Sequence, residues 1–289
     1  MIVIEHIDKV RGNRAVRDLL AWAVGRLGGD RAEARADAHA LLSSAAGIGR
    51  AMALAYPERS IDLRSADAFR AAVERRRCGE PVAYITGHRG FHAIEIGVDA
   101  RVLVPRPESE LLVDEVLSAT ATHEVFDALD LGTGSGALAL AIATARPRAR
   151  MTGVDVSSAA LDVARANAQR LGICVRWVES DWLEHLGGER FDYIVCNPPY
   201  VRCDDPHMSA LVREPRIALD GGADGLDAIR IVLRDAGTHL AANGKLLLEH
   251  GFDQVTDVAG VAATAGLAVE RVVEDLSGHP RVTVMGLAQ

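Results

Sequence analysis

Between Val125 and Ala145 the chain reads Val125-Phe126-Asp127-Ala128-Leu129-Asp130-Leu131, then Gly132-Thr133-Gly134-Ser135-Gly136, then the apolar helical run Ala137 to Ala145. A strand, a glycine-rich turn and a helix in immediate succession make a nucleotide-binding corner. Glycines let the backbone approach a ligand closely, and the order strand-turn-helix belongs to an open, mostly parallel sheet. Everything downstream has to be compatible with such a sheet.

The loop spacing is Gly-x-Gly-x-Gly, without the two-residue gap of the dinucleotide fingerprint. This shifts the expectation from a pyrophosphate cofactor to S-adenosylmethionine, whose amino-acid part would sit against Gly132, Thr133, Gly134, Ser135 and Gly136. Asp130, just ahead of the loop, is read as facing an ammonium group and repelling a phosphate. The next strand, Met151 to Val156, carries Asp155, 19 residues after Gly136, where a carboxylate takes a ribose diol. Taken alone, Asp155 could equally cap the helix Ser157 to Leu171. A third strand, Cys174 to Val178, leads to Ser180-Asp181-Trp182, where Asp181 could accept from an adenine amine while the Trp182 indole covers the ring.

A fourth strand, Phe191 to Cys196, is stopped by Asn197-Pro198-Pro199-Tyr200. Two successive prolines lack N–H groups, so this turn offers carbonyl acceptors and almost no main-chain donors. Asn197 adds a side-chain carbonyl and Tyr200 a flat apolar face with a polar tip, a combination suited to holding a planar –NH2 group by both hydrogens. In a parallel sheet the four strand-end loops share the carboxyl edge and converge on one crevice. A fifth strand over Lys245 to Glu249, a helix from Phe252, and an antiparallel pair formed by Ala268 to Val273 and Arg281 to Gly286 complete the expectation. The fold predicted is α/β: a Rossmann-like class I S-adenosylmethionine-dependent methyltransferase with a mostly parallel seven-stranded sheet, an antiparallel C-terminal hairpin and a small N-terminal helical domain. His207 and His250 lie near strand-end loops, but methyl transfer from a sulfonium to a lone pair needs no strong general base.

The segment 14–80 reads as helical. Arg14 to Leu27 puts Val16, Leu19, Leu20, Ala23, Val24 and Leu27 on one face, Ala32 to Ala46 repeats the pattern, and a third helix is capped by Ser65 or Asp67 and ends in Arg75-Arg76-Arg77. That basic run is either a solvated helix end or a contact surface for an acidic partner. The domains expected are 1–80, helical; 81–104, a linker in which Phe91 to Val104 forms a β-hairpin; and 105–289, catalytic. Arg106, fixed between Pro105 and Pro107, is placed to reach into a neighbouring cleft and is taken as a substrate contact.

Net charge is −8, unevenly spread: residues 1–80 hold 14 Lys+Arg and 11 Asp+Glu, the remainder 18 and 29. An acidic catalytic half argues against tracking along nucleic-acid phosphates. Cys78, Cys174, Cys196 and Cys203 form no CxxC pair and have no histidine at ligand spacing, so they read as reduced thiols and no metal is expected. No apolar run reaches membrane-spanning length, and Met1 to His6 is too short and acidic for a signal peptide, which predicts a cytoplasmic protein without a membrane partner.

Nearly the whole chain resembles the HemK/PrmC-type peptide chain release factor N(5)-glutamine methyltransferases. The resemblance rests on Gly79 to Gly87, on Val104-Pro105-Arg106-Pro107-Glu108, on Leu129 to Gly136, on Ser180-Asp181-Trp182 and on Asn197-Pro198-Pro199-Tyr200. It extends to Arg213-Glu214-Pro215 and Leu219-Asp220-Gly221-Gly222. Arg89-Gly90-Phe91-His92 departs from it, since relatives more often carry an acidic residue followed by two aromatics. The resemblance implies that S-adenosylmethionine is converted to S-adenosylhomocysteine, and that the acceptor is the glutamine of the Gly-Gly-Gln motif in class 1 release factors. The helical domain would help dock the factor. Asn197 and the Pro198 carbonyl would hold the amide, with Pro199 and Tyr200 around it. Two other readings stand beside it: a DNA or RNA exocyclic-amine methyltransferase, and a non-catalytic adenosine-ligand-binding protein.

Overall fold

Charge and apolar periodicity set the first helices. In the computed structural model, which describes residues 14–209 and 211–288, α1 is Val16–Leu27, α2 Arg31–Ala46, α3 Arg50–Ala55, α4 Leu63–Arg77 and α5 Val82–Thr86. Met1 to His6 lies outside the described residues, as does the side chain of His207. Asp30 caps α2 by accepting from the Ala32 and Glu33 amides at 2.9 and 2.8 Å. The cap of α4 is Asp62, not Ser65 or Asp67. Its carboxylate accepts from both the amide (2.9 Å) and the hydroxyl (2.6 Å) of Ser65, so the helix begins two residues before Ser65. Leu19, Leu41, Leu42, Phe69 and Val73 form the core of this unit, with Trp22 edge-on to Phe69. The basic run is paired within it: Arg75 with Glu80 (2.7 Å), Arg76 with Asp37 (2.7 Å) and Arg77 with Glu74 (2.8 Å). Those contacts account for the run as a neutralised helix end.

This compact unit ends at Gly87, and a second begins at His88. The segment Val82–Thr86 is therefore helix in the first unit rather than part of an extended linker. The hairpin is shorter than Phe91 to Val104: β1 is His88–Phe91, β2 is Ile94–Gly97, and Phe91 pairs with Ile94 across a two-residue turn with His92 at φ 50°. Asp99 ends the alternation. Its side chain accepts from the Arg101 amide (3.0 Å) and its carbonyl from the Val102 amide (3.1 Å), which turns the chain although Val98, Val102 and Val104 remain buried.

The second unit continues with α6 (Glu110–Ala119), β3 (Asp127–Leu131), α7 (Ala137–Ala145), β4 (Arg150–Asp155), α8 (Ser158–Leu171), β5 (Arg176–Glu179) and β6 (Phe191–Cys196). Then follow α9 (Asp227–His239), β7 (Leu240–Glu249), α10 (Val255–Thr264), β8 (Leu267–Glu274) and β9 (Pro280–Leu287). Among the described residues the sheet has the order β5-β4-β3-β6-β7-β9-β8, parallel as far as β7 and antiparallel beyond. The chain builds outward from β3 to β5, then returns to the other side of β3 with β6. This reversal is a topological switch point, and ligands bind outside the strand ends there. Leu129, Leu131, Ile194, Leu233, Leu246, Leu248 and Met285 fill the core beneath it. The hairpin is tied to this unit by Asn167 of α8, which accepts from the Gly97 amide (2.7 Å) and donates to the carbonyls of Gly97 and Ser135 (both 2.9 Å). Among the described residues no helix is long and apolar enough to cross a membrane.

Gly153 of β4 lies beside Trp177 of β5, and a Cβ on Gly153 would stand 2.3 Å from the indole; the same ring approaches the Cβ position of Gly136 at 3.1 Å. Gly153→Ala is expected to push the indole from its seat and destabilise the unit by about 1–3 kcal/mol, read as a lower denaturant midpoint with an unchanged slope.

Candidate active site

Three glycines shape the turn after β3. Gly132, Gly134 and Gly136 have φ of 71°, 54° and 81°, a region closed to most side chains. The Thr133 amide donates to the Val154 carbonyl and the Gly134 amide to Asp155 Oδ2, both at 2.8 Å, so the loop is tied to the end of β4. Asp130 sits behind it. Fully buried, it accepts through Oδ2 from Thr133 Oγ1 (2.5 Å) and from the Ala139 amide (3.1 Å), while Oδ1 has no partner among the described residues. Burial pushes its carboxyl up to about 7. The residue does not line the cavity in front of the loop, so the reading of Asp130 as an ammonium contact gives way to that of a brace joining loop and helix. Thr133, Ser135 and Gly136 likewise stay off the cavity wall, all three buried.

That cavity has a volume of about 380 Å³. Gly132, Gly134, Asp155, Asp181, Trp182, Asn197 and Pro199 are brought together around it. Asp155 accepts from the Gly134 amide through one oxygen and from the Ser157 amide (2.9 Å) through the other, and burial raises its pKa. The cap of α8 is Ser157, accepting from the Ala160 amide, so Asp155 is not that cap. Each Asp155 oxygen keeps a lone pair for a further donor. Trp182 holds φ 48°, an uncommon conformation for a bulky residue, and its ring lies 3.6 Å from the Cβ position of Gly132. The carboxylates suit a ligand rich in hydroxyl and amine donors and oppose a phosphate.

On the other side of Asn197 is a second cavity of about 170 Å³, bordered by Arg106, Asn197, Pro198, Tyr200, Leu211 and Leu219. Asn197 thus borders both. Its Nδ2 donates to Ser109 Oγ at 2.8 Å, and among the described residues neither its Oδ1 nor the Pro198 carbonyl has an intramolecular partner. The Tyr200 hydroxyl donates to Glu249 Oε1 at 3.1 Å, and burial beside that carboxyl raises its pKa. Arg106 donates to the nearly buried Glu214 at 2.5 Å, and the other Glu214 oxygen accepts from the Val104 amide at 3.0 Å. This joins the Pro-Arg-Pro and Arg-Glu-Pro elements, 108 residues apart.

His250 lines neither cavity. It is fully buried, bonded to the Gly251 carbonyl (2.9 Å) and to Thr283 Oγ1 (2.8 Å), with its pKa lowered by burial. Cys196 is buried in β6 with its thiol pKa raised by burial, and the four cysteines form no disulfide. Sequence reasoning missed the far wall of the larger cavity, formed by Val102, Leu103, Pro215, Ile217 and Ala218. The available signal was Ile217, an isoleucine 65% exposed between two turn-rich stretches. It also missed Ser109 and Glu249.

Two family models match the chain: Methyltransferase small domain over residues 107–222 and PrmC N-terminal domain over residues 18–87. A release factor glutamine methyltransferase of Xylella fastidiosa (strain Temecula1) is 44% identical over 253 residues, covering 86% of this chain and 92% of the relative. One of Pseudomonas aeruginosa is 44% identical over 260 residues, covering 88% and 93%. Among solved structures, a methyltransferase from Pyrococcus furiosus shares the fold with a TM-score of 0.51 at 20% identity, covering 66% of this chain and 87% of that one.

Because Asp130 is neutral below its raised pKa, the stability it contributes is present in acid and lost as pH rises from about 4 to 7. Asp130→Asn is expected to remove that loss. The difference in unfolding free energy between variant and parent should grow in the variant's favour across this window by up to about 4 kcal/mol, measured by denaturant titration at several pH values. With identity of this depth running through both units and nearly the full length of the relatives, the chain belongs to the release factor glutamine methyltransferase family.

Proposed function

We propose that this chain is a cytoplasmic enzyme that transfers a methyl group from S-adenosylmethionine to a glutamine side-chain amide nitrogen. The glutamine is that of the Gly-Gly-Gln motif in class 1 release factors. The relatives' name supplies the acceptor. The observation that carries the chemistry is Asn197 at the junction of two cavities, its Oδ1 and the Pro198 carbonyl both without intramolecular partners among the described residues.

The larger cavity suits the cofactor in size and in donor set. Asp155 would take the ribose hydroxyls on its remaining lone pairs, Asp181 the adenine amine and Trp182 the ring face. Gly132 and Gly134 would flank the amino-acid part. When bound, S-adenosylmethionine supplies a methyl group made electrophilic by a positively charged sulfur.

The rest falls to the protein. An amide nitrogen is a poor nucleophile because its lone pair is delocalised into the carbonyl. Asn197 Oδ1 and the Pro198 carbonyl, accepting both N–H bonds, would fix the rotation of the NH2 group and favour its lone pair as charge develops. Pro199 and Tyr200 would enclose the amide plane. Arg106, anchored on Glu214, keeps guanidinium donors for the carbonyls of the substrate segment. The helical unit would help dock the factor.

Two expectations test this. Labelled methyl groups should appear on a purified release factor, and not on a copy with the Gly-Gly-Gln glutamine changed to alanine, on total RNA or on DNA. Label on nucleic acid, whose exocyclic amines present the same two N–H groups, would reassign the acceptor. Asn197→Ala should lower kcat by about 10²–10³-fold while cofactor affinity, measured by calorimetry, moves by only a few-fold. Equal loss of both would place Asn197 on the cofactor side.

A further inference from the structure

Glu249 is the last residue of β7, and the register that sets Cys196 beside Leu248 brings Asn197 and Glu249 off their strands as neighbours. The Glu249 carboxyl is fully buried. Its Oε1 accepts from the Tyr200 hydroxyl at 3.1 Å, and among the described residues its Oε2 has no partner of its own. The Ser109 hydroxyl, also buried, lies beside this carboxyl and accepts from Asn197 Nδ2 at 2.8 Å.

A serine hydroxyl can donate or accept, so Ser109 by itself would tolerate either face of the Asn197 amide. Flipped, Asn197 would turn its own NH2 toward an acceptor NH2 and lose the clamp. We propose that Glu249 is a positioning residue for the transfer: by drawing the Ser109 proton it leaves Ser109 only lone pairs for Asn197, which holds Asn197 Oδ1 toward the substrate cavity. Through the Tyr200 hydroxyl the same carboxyl anchors the ring that borders that cavity. This rests on the reading of Asn197 as the amide clamp.

The chain of polarity requires Glu249 to be ionised, since a protonated carboxyl would donate to Ser109 and free its proton for a flipped Asn197. Burial pushes Glu249 up to about 7; Glu108 adds to the rise, while Ser109, Tyr200 and Arg281 oppose it. Arg281 is itself held by Asp275 at 2.9 Å, and Cys196, which also faces Glu249, is a neutral thiol.

The test uses the full chain, with Glu249→Gln, Ser109→Ala and the double variant. The Asn197 side-chain amide, assigned in a 15N spectrum as the pair missing from Asn197→Ala, should shift with a midpoint near 7 in the parent and stay still in Glu249→Gln. With a release factor as substrate, kcat at pH 8 should fall about 10- to 100-fold in each single variant, with KM for the cofactor within about two-fold. The double variant should be no worse than the poorer single one. The acidic limb of the parent's kcat profile should vanish in Glu249→Gln. Parent-like kcat and pH profile in Glu249→Gln would overturn the proposal, as would an Asn197 resonance that does not titrate in the parent. If Glu249→Gln does not fold, Ser109→Ala decides by the same split between kcat and KM. If the parent does not methylate the factor, the glutamine reading fails, and the spectrum still decides on Glu249.

Discussion

Parallel pairing of β3 with both β4 and β6 sets where the groups at the carboxyl edge of the sheet fall. Leu131 stands beside Val154 on one side and Cys196 on the other, and Cys196 stands beside Leu248. Four strands therefore end level with one another, and whatever follows each of them enters the same space. The glycine turn, Asp155, Asn197 and Glu249 are spread over more than a hundred residues of sequence. A slip of one residue in any pairing would send the next side chain to the opposite face of the sheet. Burial of the strands on both sides makes such a slip costly, because it would interchange side chains that are packed against different layers.

The edge is also where the fold tolerates groups that its interior disfavours. Asp130 and Glu249 are both fully buried, each with one oxygen lacking a partner among the described residues and a carboxyl raised to about 7. A buried carboxyl without a cation beside it weakens the folded state near neutral pH. Glu214 shows the other solution, with a guanidinium on one oxygen and a backbone amide on the other. Asp130, bonded to Thr133, and Glu249, bonded to Tyr200, brace the loops after β3 and β6 without an ion pair among the described residues.

Much of this was legible in the sequence because it is local. Strand, glycine turn and helix announce themselves within 21 residues, and a double proline ends a strand wherever it occurs. Orientation was not legible. Asp130 precedes the loop by two positions, yet pairing turns its side chain behind the sheet edge. Thr133 and Ser135 belong to the same loop but point inward, because the glycines on either side carry the left-handed turns. The start of α4 was misplaced since three polar residues compete for its cap and only the fold decides that Asp62 wins. The hairpin was overextended because Val98, Val102 and Val104 are buried without being strand. Ser109 and Glu249 carry no motif of their own; their meaning depends on Asn197, 88 residues from the first of them.

Asn197, with Leu103 and Ala218, borders two chambers that otherwise draw on different residues. The larger is floored by residues at the ends of β3, β4, β5 and β6, and its far wall comes from the connecting segments that carry Val102, Leu103, Pro215, Ile217 and Ala218. The smaller is bounded by Leu103, Leu211, Ala218 and Leu219, residues on connecting segments outside the helices and strands of the sheet layer. Connecting segments accept insertion and substitution far more readily than strand ends. A scaffold built in this way can keep its strand-end floor constant while the connecting segments around it are remodelled, with Asn197 left facing both chambers.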